Sequence, residues 1–131
     1  MKTVVLKFGG TSVGTVDRIK KVSNIIISYV KKRYKVIVVS SAMRGTTNDL
    51  VKKSKKISNN FISSEYDVLV SSGEQMSCAL IAGRLNHLGY KSQSWMGWQV
   101  PILTEGNHSS SRISQIYKKK LINFCNPEAF P

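Results

Sequence analysis

Two short apolar runs constrain this chain more than any other feature. Val4-Val5-Leu6 lies inside a strand-like stretch at residues 3–8, and Val36-Ile37-Val38-Val39 forms a second continuous run. Between them, Val16, Ile19, Val22, Ile26 and Val30 recur in steps of three and four, which places them on one helix face. Asp17 stands in the first turn of that helix and Lys31-Lys32-Arg33 close it, as the helix dipole favours. Strand, helix and strand over this length make a βαβ unit, whose crossover is right-handed. Continuous apolar runs are how strands covered on both faces read in parallel sheets. The expected class is α/β with a mostly parallel sheet.

Further along, a helix is expected over about 48–58, with Leu50, Val51 and Ile57 apolar, lysines outward and Asn59-Asn60 as the break. Tyr66 to Glu74 alone is ambiguous between strand and helix. Met76, Leu80, Ile81, Leu85 and Leu88 then follow at helical spacing, and Gly89 suits a C-terminal cap. Together they predict one helix over 66–88, loosened near Gly73. Lys91–Trp95 reads as a short strand, 96–111 as loop-rich around Pro101-Ile102-Leu103, 112–116 as a strand and 117–124 as a short helix. No repeat, linker or low-complexity segment interrupts a chain whose 131 residues suit one compact domain.

The composition excludes several classes. Hydrophobic residues make up 41% of the chain, far above the disordered range. No apolar run approaches the roughly 18 residues of a membrane span, and Met1-Lys2-Thr3 leads into a strand without a secretory signal core. A cytoplasmic protein is expected. Cys78 and Cys125 lack metal or redox spacing and read as partly buried free thiols, and His87 and His108 as surface residues. Trp95 and Trp98 are expected to pack a sheet edge. No metal ligand set is predicted. The net charge is +13, with clusters at Lys20-Lys21, Lys31-Lys32-Arg33, Lys52-Lys53, Lys55-Lys56 and Lys118-Lys119-Lys120. They read as solvated helix faces and helix ends. Aromatic residues are not interleaved with them as in RNA-binding surfaces, so neither nucleic acid nor membrane is an expected partner.

Three segments carry chemistry. Lys7-Phe8-Gly9-Gly10-Thr11-Ser12 puts a lysine, two glycines and two hydroxyls between the first strand and its helix. Glycines let the backbone approach an anion, and N–H groups at a helix start point toward it. The spacing is not that of a P-loop, whose lysine follows its glycines. Ser40 to Asn48 is a small, polar loop after the second strand. Both loops lie at the carboxyl edge of the sheet, where open α/β sheets bind ligands. In Ser72-Gly73-Glu74-Gln75, Glu74 stands alone among apolar and small residues, where a carboxylate needs a partner or a cationic ligand. The plain alternatives are an ordinary βα turn, an N-capping cluster and an internal salt bridge.

As a set, these motifs resemble the N-terminal part of aspartokinases, the aspartate kinase branch of the amino acid kinase family. The matching residues are Lys7 to Val13, Ser41-Ala42-Met43 with Gly45 and Thr47-Asn48, and Ser72 to Gln75. Ser94-Trp95, Gly97-Trp98-Gln99 and Ser111-Arg112-Ile113 add to them, in continuous register to about residue 124. The resemblance implies a three-layer α/β/α sandwich of the carbamate kinase-like type, present as its N-terminal portion. It implies transfer of the γ-phosphoryl group of ATP, with Mg2+, to the side-chain carboxylate of L-aspartate, at the head of lysine, threonine, methionine and diaminopimelate synthesis. Lys7 would be catalytic, neutralising charge on the phosphoryl group. Lys7, Phe8, Gly9, Gly10 and Ser12 would line the ATP phosphates, and Thr47 and Glu74 would hold aspartate, with Glu74 facing its ammonium.

The family domain is longer than this chain. Its later part carries a Gly-Arg-Gly-Gly-Ser-Asp-like loop, the adenine and ribose pocket and regulatory ACT domains. Pro127-Glu128-Ala129-Phe130-Pro131 stands where a glycine-led buried strand is expected. Residues 1–131 are therefore expected to be the amino-acid-substrate part, from a truncated or frameshifted frame or a separately encoded half. An open sheet edge and little or no activity alone are expected. The alternative is a non-catalytic remnant or subunit fragment that binds aspartate, a complementing chain or a second copy.

Overall fold

Residues 3–40 form the expected βαβ unit. In the computed structural model, which describes residues 1–125, β1 (Thr3–Phe8) and β2 (Lys35–Ser40) pair in parallel, from Thr3 opposite Lys35 to Phe8 opposite Ser40. The crossover is α1 (Val16–Lys31). Thr15 caps it, its hydroxyl accepting from the Arg18 N–H at 3.2 Å, with Asp17 in the first turn. Its exit is a Schellman turn. The Tyr34 N–H reaches the Tyr29 carbonyl, the Arg33 N–H reaches that of Val30, and the two tyrosine rings meet edge to face at 5.8 Å.

The chain divides into two compact units, residues 1–94 and the part from Trp95 on. In the first, α2 (Thr46–Ile57) and α3 (Ser63–His87) follow the βαβ unit. The core is built from Val13, Ile19, Val22 and Ile26 against Ile81 and Leu85 of α3. Leu6, Phe8, Val36 and Val38 pack onto it, so α1 and α3 cover the same face of the sheet. The other face is open, with Val5 60% and Val39 48% exposed. The apolar runs predict strands covered on both faces. Among the described residues one helical layer is present, and neither strand has a second neighbour.

Helix α3 begins three residues before Tyr66 and runs unbroken through Gly73, where loosening was expected. It ends in a second Schellman turn, with Gly89 at φ +82° and the Tyr90 N–H on the Leu85 carbonyl. No strand forms at Lys91–Trp95. The Asn86 side chain takes both the N–H and the carbonyl of Ser92, at 3.0 and 2.8 Å, groups that a strand would need for its ladder.

The second unit holds an antiparallel pair, β3 (Ile102–Glu105) and β4 (Arg112–Ile116), with an irregular register between Leu103 and Thr104. Every residue of both strands is exposed, and β3 lies inside the stretch expected to be loop. Helix α4 (Lys119–Phe124) follows, and Trp95 packs edge to face on Phe124 at 5.6 Å. Trp98, expected to pack a sheet edge, is 69% exposed. Lys119 and Lys120 open α4, whereas Lys31 and Lys55-Lys56 stand in the last turns of α1 and α2. The prolines and neighbours at 126–131 lie outside the described residues. No described helix is long and apolar enough to cross a membrane.

Candidate functional site

Gly9 to Gly14 make a compact turn. The Ser12 and Val13 N–H groups return to the Gly9 carbonyl at 2.9 and 3.3 Å, and the Gly14 N–H to that of Thr11. The N–H groups of Gly9 and Gly10 bond no described backbone group, which leaves them free for an anion. Lys7 shares the exposed face of β1 with Val5, whereas the Phe8 side chain packs on the core. Lys7 and Phe8 therefore leave the strand on opposite sides, and Phe8 can meet a ligand at this turn through its backbone alone.

The second loop continues the ladder, the Ser41 N–H donating to the Phe8 carbonyl at 3.0 Å. Gly45 then turns into α2 at φ +85°, a left-handed conformation suited to glycine. It is the N-cap and offers no side-chain cap, so Thr47 and Asn48 lie inside the first turn of the helix and cap nothing. The capping alternative for this loop is not realised, and Thr47 stands exposed.

Three segments meet at Ala42, which is buried. A Cβ on Gly10 would come within 3.2 Å of the Ala42 carbonyl oxygen, and one on Gly14 within 3.1 Å of the Arg44 Cβ. A Cβ on Gly73 would overlap the Ala42 Cβ at 2.9 Å and press on Thr46 at 3.2 Å. Glycine at 73 is thus the condition for α3 to cross the loop. The residue that looks like a flaw in the helix is its point of contact with the site.

The same crossing carries a polar cluster. The fully buried Ser77 hydroxyl donates to the Ser41 carbonyl at 2.7 Å and lies 3.0 Å from that of Glu74, while Ser40 Oγ donates to Ser77 Oγ at 3.4 Å. Glu74 is half-buried, and no described cation pairs with it. The salt-bridge alternative is not realised either. Cys78, one residue on from Ser77, has its thiol pushed up by burial and then by the Glu74 charge. No hydrogen bond or ion pair joins Lys7, Thr47 and Glu74 to one another; what meets at Ala42 is Gly10 of the first turn and Gly73 of α3.

Sequence patterns missed Ser77, and singled out Ala42 only within a matching motif, since a helical serine and a small residue carry no periodic signal. They also missed a cleft of about 210 Å³ beside the Gly9–Gly14 turn, lined by Phe8, Ser12, Arg18, Lys21, Val22 and Ile25. Among the described residues no group of three or more His, Cys, Asp or Glu is placed to hold a metal.

The sequence of the whole chain decides the relationship, since residues 2–131 match the amino acid kinase family. The chain belongs to the amino acid kinase family. It is 49% identical over 116 residues to an aspartokinase of Geobacillus stearothermophilus, covering 88% of this chain and 28% of that protein. It is 47% identical over 134 residues to an aspartokinase of Rickettsia felis, covering 100% of this chain and 33% of that protein. A crystal structure of aspartate kinase from Synechocystis superposes with a TM-score of 0.63 at 44% identity, covering 66% of this chain and 15% of that one. The α/β architecture with a parallel sheet is that of this kinase family. The chain spans about a third or less of the length of the curated relatives it matches.

Proposed function

We propose that these residues form the amino-acid-substrate part of an aspartate kinase, which passes the γ-phosphoryl group of ATP to the side-chain carboxylate of L-aspartate. The observation that carries this reading is the close approach of the Gly10 turn and of Gly73 to Ala42, with Gly73 also against Thr46 of α2 and next in sequence to the unpaired, half-buried Glu74. Glu74 then faces the ammonium of aspartate and Thr47 binds its polar groups. The free N–H groups of Gly9 and Gly10 and the Lys7 ammonium take charge from the phosphoryl oxygens, with Ser12 and the Phe8 backbone beside them. Magnesium enters as part of the nucleotide substrate. The expected setting is cytoplasmic amino-acid synthesis, including that of lysine.

Calorimetric titration of the 131-residue chain tests this. L-Aspartate binds and Glu74→Gln or Thr47→Val abolishes the heat, whereas ATP binds weakly or not at all, because its adenine and ribose pocket is assigned to the remaining length of the relatives. Failure of aspartate to bind a folded chain would overturn the reading. Formation of aspartyl phosphate at an ordinary enzymatic rate would overturn the assignment of the nucleotide pocket elsewhere. A second reading, a subunit fragment that needs a partner chain, is favoured by the open face carrying Val5 and Val39. It predicts a stable complex on mixing with the remaining length of an aspartokinase, or self-association, in size-exclusion chromatography.

A further inference from the structure

Ser77 is three residues beyond Glu74 and four beyond Gly73, so all three lie on one face of α3. A serine inside a helix ordinarily bonds a carbonyl of its own preceding turn. Ser23 does so, donating to the Ile19 carbonyl at 2.9 Å, and Ser54 does so to Val51. Ser77 has such an acceptor in Glu74 at 3.0 Å, yet it makes its shorter contact, 2.7 Å, with Ser41, 36 residues away. One hydroxyl hydrogen serves both carbonyls, and the shorter contact favours the long-range one. Ser41 is five residues before the first residue of α2, and the Thr46 N–H is held by the Met43 carbonyl at 3.1 Å. Ser40 Oγ also donates to the Ser41 carbonyl at 3.1 Å, but from the same loop, so of the two only Ser77 ties that loop to α3. Two contacts there join the segment leading into α2 to α3. They are the close approach of Gly73 to Ala42 and Thr46, and the hydrogen bond from Ser77 to Ser41.

We propose that Ser77 is a positioning residue: by holding the Ser41 carbonyl it fixes the start of α2, and with it Thr47, relative to Glu74. The inference rests on the aspartate reading above and deepens it. Ser77 touches no substrate. It is fully buried, and its hydroxyl is spent on the loop.

Ser23 supplies a matched control, being equally buried in a helix but bonded only within that helix. In the full chain, Ser77→Ala weakens L-aspartate binding by about five- to tenfold, the equilibrium factor of one ordinary hydrogen bond, and Ser23→Ala leaves it unchanged. Hydrogen exchange read by NMR without ligand gives an independent arm. The Thr46 amide exchanges faster in Ser77→Ala and at the wild-type rate in Ser23→Ala. Ser77→Cys, similar in size with a weak S–H donor, falls between wild type and Ser77→Ala, and serves if the alanine variant does not fold. Equal effects of Ser77→Ala and Ser23→Ala in either arm overturn the proposal. A folded wild-type chain that binds no aspartate overturns the aspartate reading instead, and the exchange arm then decides whether Ser77 orders the loop.

Discussion

At the scale of single residues, glycine means different things at two places in one helix. Gly83 has nothing within 4 Å of a built Cβ, so Gly83→Ala should stabilise the chain by up to about 1 kcal/mol through helix propensity. Gly73→Ala meets Ala42 at 2.9 Å and should destabilise by about 1–3 kcal/mol, despite the same propensity gain. Urea unfolding of the two variants checks this, and a shift of the same sign in both would refute the crowding at Ala42. Cys78 offers a second test at this scale. Its thiol is raised by burial first and by Glu74 second, so the thiolate is disfavoured in the folded chain. The stability linked to that thiol is full below the ordinary thiol pKa and is lost as pH rises through the raised value. Iodoacetamide at mildly alkaline pH should modify Cys78 slowly, faster in Glu74→Gln and fastest after unfolding. An unchanged rate in Glu74→Gln would remove the carboxylate from the explanation.

Among the elements, the two Schellman turns differ at the left-handed position. The turn after α3 has Gly89 in the left-handed position, whereas the turn after α1 has Arg33 there, at φ +60°. An L-residue in that region costs roughly 1–2 kcal/mol, so Arg33→Gly should raise stability by about 1 kcal/mol in thermal or urea melts. Thr15→Ala should lower it by about 1 kcal/mol, by removing the cap of α1. Elements such as α1 were legible because their apolar spacing and the packing that uses it coincide. Ile19, Val22 and Ile26 are both the periodic residues and the buried ones. Legibility fails where a side chain competes with a pattern. Asn86 captures Ser92 and removes an expected strand, and Ile102 to Glu105 form a strand whose exposed residues show no inward face. At the site, the loops at the carboxyl edge were readable from the order of strand and helix. The meeting at Ala42 was not, because it depends on Gly10 and Gly73 having no side chain.

For the whole molecule, charge sets a condition on stability. A net charge of +13 leaves many cations without a carboxylate, and their mutual repulsion opposes the compact state. Sodium chloride should therefore raise the melting temperature as screening grows between low and moderate ionic strength, over which the Debye length falls from about 30 to 10 Å. A flat or falling dependence, followed by circular dichroism, would show that repulsion is negligible here. The core has a further property that follows from its composition. Its residues come from two distant parts of the chain, Val13 to Ile26 and then Ile81 and Leu85. On a ribosome, β1, α1 and β2 emerge first, and their shared apolar side has no second helix to meet until α3 has left the exit tunnel. During that interval the nascent chain presents Leu6, Phe8, Val36 and Val38 to whatever is near it. The time between synthesis of β2 and release of α3 is thus the period in which this polypeptide most needs a chaperone.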